Sequence, residues 1–149
     1  MVKITYRVSE IRIGTASPGS ASITGIKNIN WGDIDPWIKL EPPVASQAIY
    51  QNLRPPGIEG RLVCLDQASM YTGLYQTAVN GSSPAINPTT SEKKTIGYFA
   101  VTLIFHDGTS ATYSFTNVRI RTISLDSLSE EGTESSWTIT FYADKVTKL

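Results

Sequence analysis

One stretch constrains this chain more than any other. Tyr98–Leu125 holds two β-rich runs on either side of Asp107-Gly108. That dipeptide tolerates the positive φ angles of a two-residue hairpin turn, and apolar alternation on both sides of it is a strong short-range hairpin signal. In the first run Phe99, Val101, Leu103 and Phe105 share one face, opposite Tyr98, Ala100, Thr102, Ile104 and His106. In the second, Tyr113, Phe115 and Asn117 oppose Thr112, Ser114, Thr116 and Val118. A run apolar on both faces is covered on both sides, by a second sheet, a helix or another subunit. The stretch is therefore the expected central hairpin of a β domain.

The flanking sequence supports that class. Val2, Ile4, Tyr6 and Val8 alternate with Lys3, Thr5, Arg7 and Ser9, and Ile11 and Ile13 continue with the opposite parity. A change of parity inside one strand predicts a bulge or turn near Ser9-Glu10. Ser22–Trp31 reads as a further strand, and Gly60–Leu65 as a short buried one. Asp66 is placed to cap a helix over Gln67–Val79, with Met70, Leu74 and Ala78 at helical spacing and Gly73 weakening it. Asn80–Lys94 has the composition of a polar loop. Trp137, Ile139, Phe141 and Ala143 alternate with Thr138, Thr140, Tyr142 and Asp144 in a closing strand. The expectation is one mainly-β (α+β) domain over residues 1–149: a two-sheet sandwich or barrel of six to seven antiparallel strands, one flanking helix and a long protruding loop.

That loop is Gly32–Gly60. Five of the chain's prolines break it, yet it carries Trp37, Ile38, Leu40, Val44, Ile49, Tyr50, Leu53 and Ile58. A long apolar segment of this kind needs something to bury it. Either it folds over its own core, with a short hairpin around Val44–Tyr50, or it contacts another subunit.

Charge and cysteine content narrow the chemistry. Thirteen Lys and Arg balance thirteen Asp and Glu, so no bulk positive field draws the chain to nucleic acid or an acidic membrane. Asp126, Glu130, Glu131, Glu134 and Asp144 nevertheless lie together with no base between them, either as a solvated loop or as a negative surface for a partner. Cys64 is the single cysteine, so no intramolecular disulfide forms, and its apolar neighbours predict a buried thiol. No apolar run approaches the length that spans a bilayer, and the N-terminus lacks a signal-peptide core, which predicts synthesis in the cytoplasm.

Convergent titratable groups are scarce. His106 is the single histidine and is expected as a cross-strand neighbour of Thr109. Asp33, Asp35 and Glu41 crowd one turn without the spacing of a calcium loop, and no phosphate-cradling glycine motif is present. Neither a catalytic site nor a cofactor or metal is expected. Trp31 and Trp37 flank a turn and could form a sugar-binding platform, although such pairs more often plug a core or an interface.

Taken in order, the strand pair, the apolar loop, the Gly57-x-x-Gly60 re-entry, the helix, the Ser-Ser-Pro loop, the central hairpin and the closing strand after an acidic linker resemble the tail tube proteins of tailed bacteriophages. Those proteins are in turn similar to the tubes of contractile injection systems. Gly57–Leu65, Tyr98–Phe105 and Phe115–Asp126 leading to Trp137–Phe141 carry the resemblance. It implies a structural virion protein that forms stacked hexameric rings in a tail tube assembled in the host cytoplasm. DNA would pass through without specific binding, and sheath, tape-measure, baseplate or terminator proteins would be its partners. Trp37, Ile38, Leu40, Val44, Ile49, Tyr50 and Leu53 then become candidates for inter-subunit contact, and Asp126, Glu130, Glu131 and Glu134 for an acidic surface. The alternative is a β-sandwich that binds carbohydrate or a receptor.

Overall fold

In a computed structural model of the chain, residues 6–35, 37–40, 49–52, 57–127 and 135–149 are described. The strands are β1 (Tyr6–Gly14), β2 (Ala21–Ile23), β3 (Ile26–Asp33), β4 (Trp37–Leu40), β5 (Ile49–Asn52), β6 (Ile58–Cys64), β7 (Ala78–Asn80), β8 (Ser83–Pro84), β9 (Tyr98–Phe105), β10 (Ser110–Thr116), β11 (Arg119–Ser127), β12 (Ser136–Ala143) and β13 (Lys145–Lys148). Two antiparallel sheets dominate, one of five strands in the order β13-β10-β9-β1-β2 and one of four in the order β11-β12-β6-β3. Together they hold nine strands where the sequence predicts six or seven, because the chain changes sheet within runs that read as continuous. Among the described residues neither sheet closes into a barrel.

The core lies between these sheets. Phe99 and Phe115 are cross-strand neighbours in the five-stranded sheet, and Phe141 faces them from the other. The three rings sit 5.4–5.7 Å apart, two of the pairs edge to face. Gly60 makes room for this packing, since a Cβ there would lie 2.2 Å from the Phe141 ring. Around the rings pack Ile11, Ile13, Ile23, Leu62, Val101 and Ile139, each no more than 1% exposed. Cys64 is fully buried, and its burial pushes the thiol pKa up.

Local chemistry explains the departures from expectation. The β9–β10 hairpin turns through three residues, His106–Gly108, with Phe105 N donating to Thr109 O at 2.8 Å and Gly108 at φ +88°. The partner of Thr109 is thus Phe105, and His106 stands exposed in the turn. Asp107 draws the loop in by accepting from the Thr109 N–H and hydroxyl at 2.9 and 2.6 Å. The parity change in β1 is a bulge between Val8 and Glu10, as the sequence implies. The predicted helix shortens to α1 (Gln67–Tyr71) and continues as a π-helical turn over Thr72–Gln76, where Thr77 N donates to Thr72 O. Gly73 sits in that turn, where a Cβ would come within 2.9 Å of Ile23. The polar loop is no idle connector, because Ala85 and Ile86 are buried in the core. Beyond the predicted closing strand, β13 returns to pair with β10.

Two aspartates latch three of the places where the chain switches sheets, at two corners of the sandwich. At Asn117 (φ +54°) the chain passes from β10 to β11, and at Asp144 from β12 to β13. Asp144 N donates to Thr116 O, while the Asp144 carboxylate accepts from Asn117 Nδ2 at 2.7 Å and from Arg119 at 3.1 Å. The Asn117 amide, and then Arg119, hold the Asp144 carboxyl below the usual carboxylate range. The second corner is Thr24-Gly25, between β2 and β3, with Gly25 at φ +70°. Asp66 fastens it: one oxygen accepts the Ser69 N–H at 3.1 Å as the cap of α1, and the other accepts the Thr24 hydroxyl at 2.8 Å. These bonds, the Ser69 N–H first, lower the Asp66 pKa. A lowered folded-state pKa adds stability above the unfolded value and loses it as pH falls through the folded one. Asp66→Ala is therefore expected to cost about 1 kcal/mol at pH 7 through loss of the cap. In urea unfolding the gap to the parent should narrow once the pH drops below about 4, where an unfolded aspartate takes up its proton. A gap unchanged between pH 7 and pH 3 would contradict the charged latch.

Candidate interaction surface

The apolar segment places part of its sequence in a hairpin. β4 and β5 pair antiparallel, with Trp37 opposite Asn52, Ile38 opposite Gln51, Lys39 opposite Tyr50 and Leu40 opposite Ile49. Among the described residues this ribbon forms a sheet of its own, outside both main sheets. A bond from Ile34 N to Gly57 O at 2.9 Å closes its root. The structure thus brings Trp37, Ile38, Leu40, Ile49 and Tyr50 into one hairpin, while Val44 and Leu53 lie outside the described residues. Of the acidic candidates, Asp126 is exposed near the end of β11 and accepts the Thr138 hydroxyl. Glu130, Glu131 and Glu134 lie outside the described residues.

Trp31 is not presented as a platform. Its ring packs 5.2 Å from Tyr113 and 5.1 Å from Phe115, perpendicular to the latter, as a lid on the aromatic core. Among the described residues no group of three or more His, Cys, Asp or Glu is arranged to hold a metal ion.

The outward face of the four-stranded sheet is the surface that pattern-reading missed. Across it the strands align Arg119 with Tyr142, Glu59 and Gly32, then Thr122 with Thr140, Arg61 and Asn30, then Ser124 with Thr138, Val63 and Asn28. The face is rich in hydroxyl and amide groups; Arg119 and Arg121 are ion-paired on it, while Arg61 is exposed with no ion pair among the described residues. Arg121 reaches over the Tyr142 ring, 5.4 Å from its centre, to Glu59 at 2.9 Å. Arg119 pairs with Asp144, and the Thr122 and Thr140 hydroxyls bond across the strands. A shallow concavity of about 310 Å³ lies where Gly32 leaves a gap, bounded by Asn30, Asp33, Glu59, Gly60, Arg61 and Thr140. The signal was present as polar alternation along β12 and β11. Its meaning depends on the order β11-β12-β6-β3, which brings Glu59 and Arg121 together across 62 residues.

No family model matches this chain, and no curated protein matches it. Several solved structures superpose on it, one of them at the level of a shared fold. A chain in the sheath/tube terminator of the PVC extracellular contractile injection system, in its extended state, superposes with a TM-score of 0.54 at 11% identity, covering 94% of this chain and 91% of that one. A chain of the PVC sheath-tube complex in the extended state gives 0.48 at 11% identity, covering 94% and 86%. One from the tube-terminating cap of the anti-feeding prophage gives 0.48 at 14% identity, also covering 94% and 86%. The first likeness is one of fold, shared over nearly the whole of both chains.

Two substitutions separate packing from surface charge. Trp31→Ala is expected to destabilise by about 3 kcal/mol, the scale of an aromatic removed from a core. Arg121→Gln should change stability by no more than about 1 kcal/mol, because both partners of its ion pair are half exposed. Urea unfolding of both variants reads the contrast, and equal effects would contradict it.

Proposed function

We propose that this protein is a structural subunit of a phage-tail-like tube, in which copies close into hexameric rings and the rings stack around a bore. The observation that carries the reading is the four-stranded sheet, open at β3 and at β11. Its strands alternate in direction and are even in number, so β3 and β11 run oppositely. Copies set side by side therefore extend one continuous antiparallel sheet. Such a sheet removes its exposed edges only by closing on itself. Six copies at a strand spacing of about 4.8 Å and a tilt of about 40° close at a backbone diameter of roughly 45–50 Å.

Three further features agree with this. The face that would line the bore is hydroxyl-rich, with two of its arginines held by carboxylates, and so offers little grip on the phosphates of passing DNA. The β4–β5 ribbon has no sheet partner in its own copy among the described residues, and stacking against an adjacent ring would bury its apolar sequence. The fold itself occurs in a chain of a sheath/tube terminator. On this reading the protein builds rather than catalyses, in a virion tail or a related injection device, and its partners are copies of itself together with sheath, baseplate or terminator components.

Negative-stain microscopy of the purified chain at rising concentration is expected to show rings or tubes of uniform bore. Deleting residues 36–54 should leave a folded protein that forms no stacks. Stubborn monomers of the full chain would refute the assembly, and unfolding of the deletion variant would mean that the loop serves its own core.

A further inference from the structure

The five-stranded sheet ends on β13, whose outer edge has no strand partner among the described residues. This edge is poorly suited to a second copy. Every pairing in the sheet is antiparallel and its strands are odd in number, so the two edge strands, β13 and β2, run the same way. Copies set side by side would meet there in a parallel pair, over only the three residues of β2. A two-fold β13–β13 pair would gather the exposed Lys145 and Lys148 of both copies along one seam, and lysines on an edge strand keep like edges apart. Neither lysine has an ion pair among the described residues. Beside the start of β13 lies a cleft of about 420 Å³ with apolar walls from Ile34, Ile58 and Val146.

We propose that the β13 edge and this cleft together form a docking site for an extended acidic segment of a partner protein, which joins the five-stranded sheet as an added strand. The inference stands apart from ring assembly and uses a different sheet. An added strand supplies backbone partners for the edge, and a neighbouring pocket selects among its side chains. The ladder fixes which side chains those are. Lys145 and Thr147 lie opposite Thr116 and Ser114 on the outward face, while Val146 lies opposite Phe115 of the core. A strand with acids at alternate positions sets them beside Lys145, and its intervening apolar side chains follow Val146 toward the cleft. Lys148 supplies a second cation farther along the edge. Asp33 and Asp144 border the cleft and keep acids out of it, which sharpens the division between the two faces. Asp144 adds little charge at the edge itself, because Asn117 and Arg119 already occupy its carboxylate.

The test uses the full chain and a fluorescein-labelled, end-blocked octapeptide of alternating Val and Glu, read by fluorescence anisotropy. Saturable binding is expected, with none for the matching Val-Lys peptide. The double variant Lys145→Glu, Lys148→Glu should keep the parent near-ultraviolet circular dichroism, weaken the Val-Glu peptide at least about tenfold and gain affinity for the Val-Lys one. Lys145→Gln with Lys148→Gln gives the same loss should the glutamate variant unfold. Methylating the amide nitrogens of every second peptide residue should abolish binding in one phase and spare it in the other, since only alternate amides of an added strand face the edge. Equal binding of the two peptides, binding of neither, or indifference to methylation in both phases would overturn the site. Peptide affinity that falls as the protein is concentrated would mean that a second copy takes the edge, and would overturn the partner.

Discussion

The packing of Phe141 onto Phe99 and Phe115 is the contact on which the rest of the molecule depends, because it joins one sheet to the other at their centre. Phe99 and Phe115 are neighbours on adjacent strands and present a paired aromatic face. Phe141 meets Phe115 edge to face, the geometry that aromatic quadrupoles favour, and lies tilted against Phe99. Gly60 is what permits the approach, with no side chain where the Phe141 ring lies. Trp31 closes the same cluster at its margin. Once this layer is filled, every strand that contributes to it must turn its alternate residues outward, and the polar face of the four-stranded sheet is the consequence.

The sandwich is also tied at its corners. Asp144 holds the two crossings at Asn117 and at its own position, while Asp66 holds the crossing at Gly25 and starts the helix with the same carboxylate. With core and corners satisfied internally, what remains unsatisfied among the described residues lies elsewhere: the edges of the four-stranded sheet, the β4–β5 ribbon, and the corner where Leu125 is exposed beside the buried Trp137 indole N–H. These features lie at the periphery, where the proposed contacts with other copies would relieve them.

Much of this was legible in the residues alone. Strict alternation in Trp137–Ala143 marks a strand with one buried face, apolar residues on both faces of Tyr98–Phe105 mark a central strand, and the parity break after Val8 marks the bulge. Asp66 reads as a cap because a short acceptor before an apolar periodic run has few other uses. The failures have physical causes. Helical spacing through Ala78 continues past the point where Gly73 must lie against Ile23, and that tertiary contact draws the turn into a wider π form. Ala85 and Ile86 sit in a segment without periodicity, so nothing local announces their burial. Thr24-Gly25 interrupts what reads as one strand, because a glycine at positive φ can move the chain from one sheet to the other. The outward face was the least legible part, since the pairing of Arg121 with Glu59 exists only once β12 lies between their strands.

The central claim is that the open sheet edges are closed by other copies of the chain. Amide hydrogen exchange, resolved by residue and followed from dilute to concentrated solution, addresses it most directly. The account predicts that protection rises at Thr122–Ser127 of β11 and along β3 as concentration increases, while the amides of β6 and β12, already paired on both sides, stay slow throughout. Exchange at β3 and β11 that is equally fast at all concentrations would contradict it.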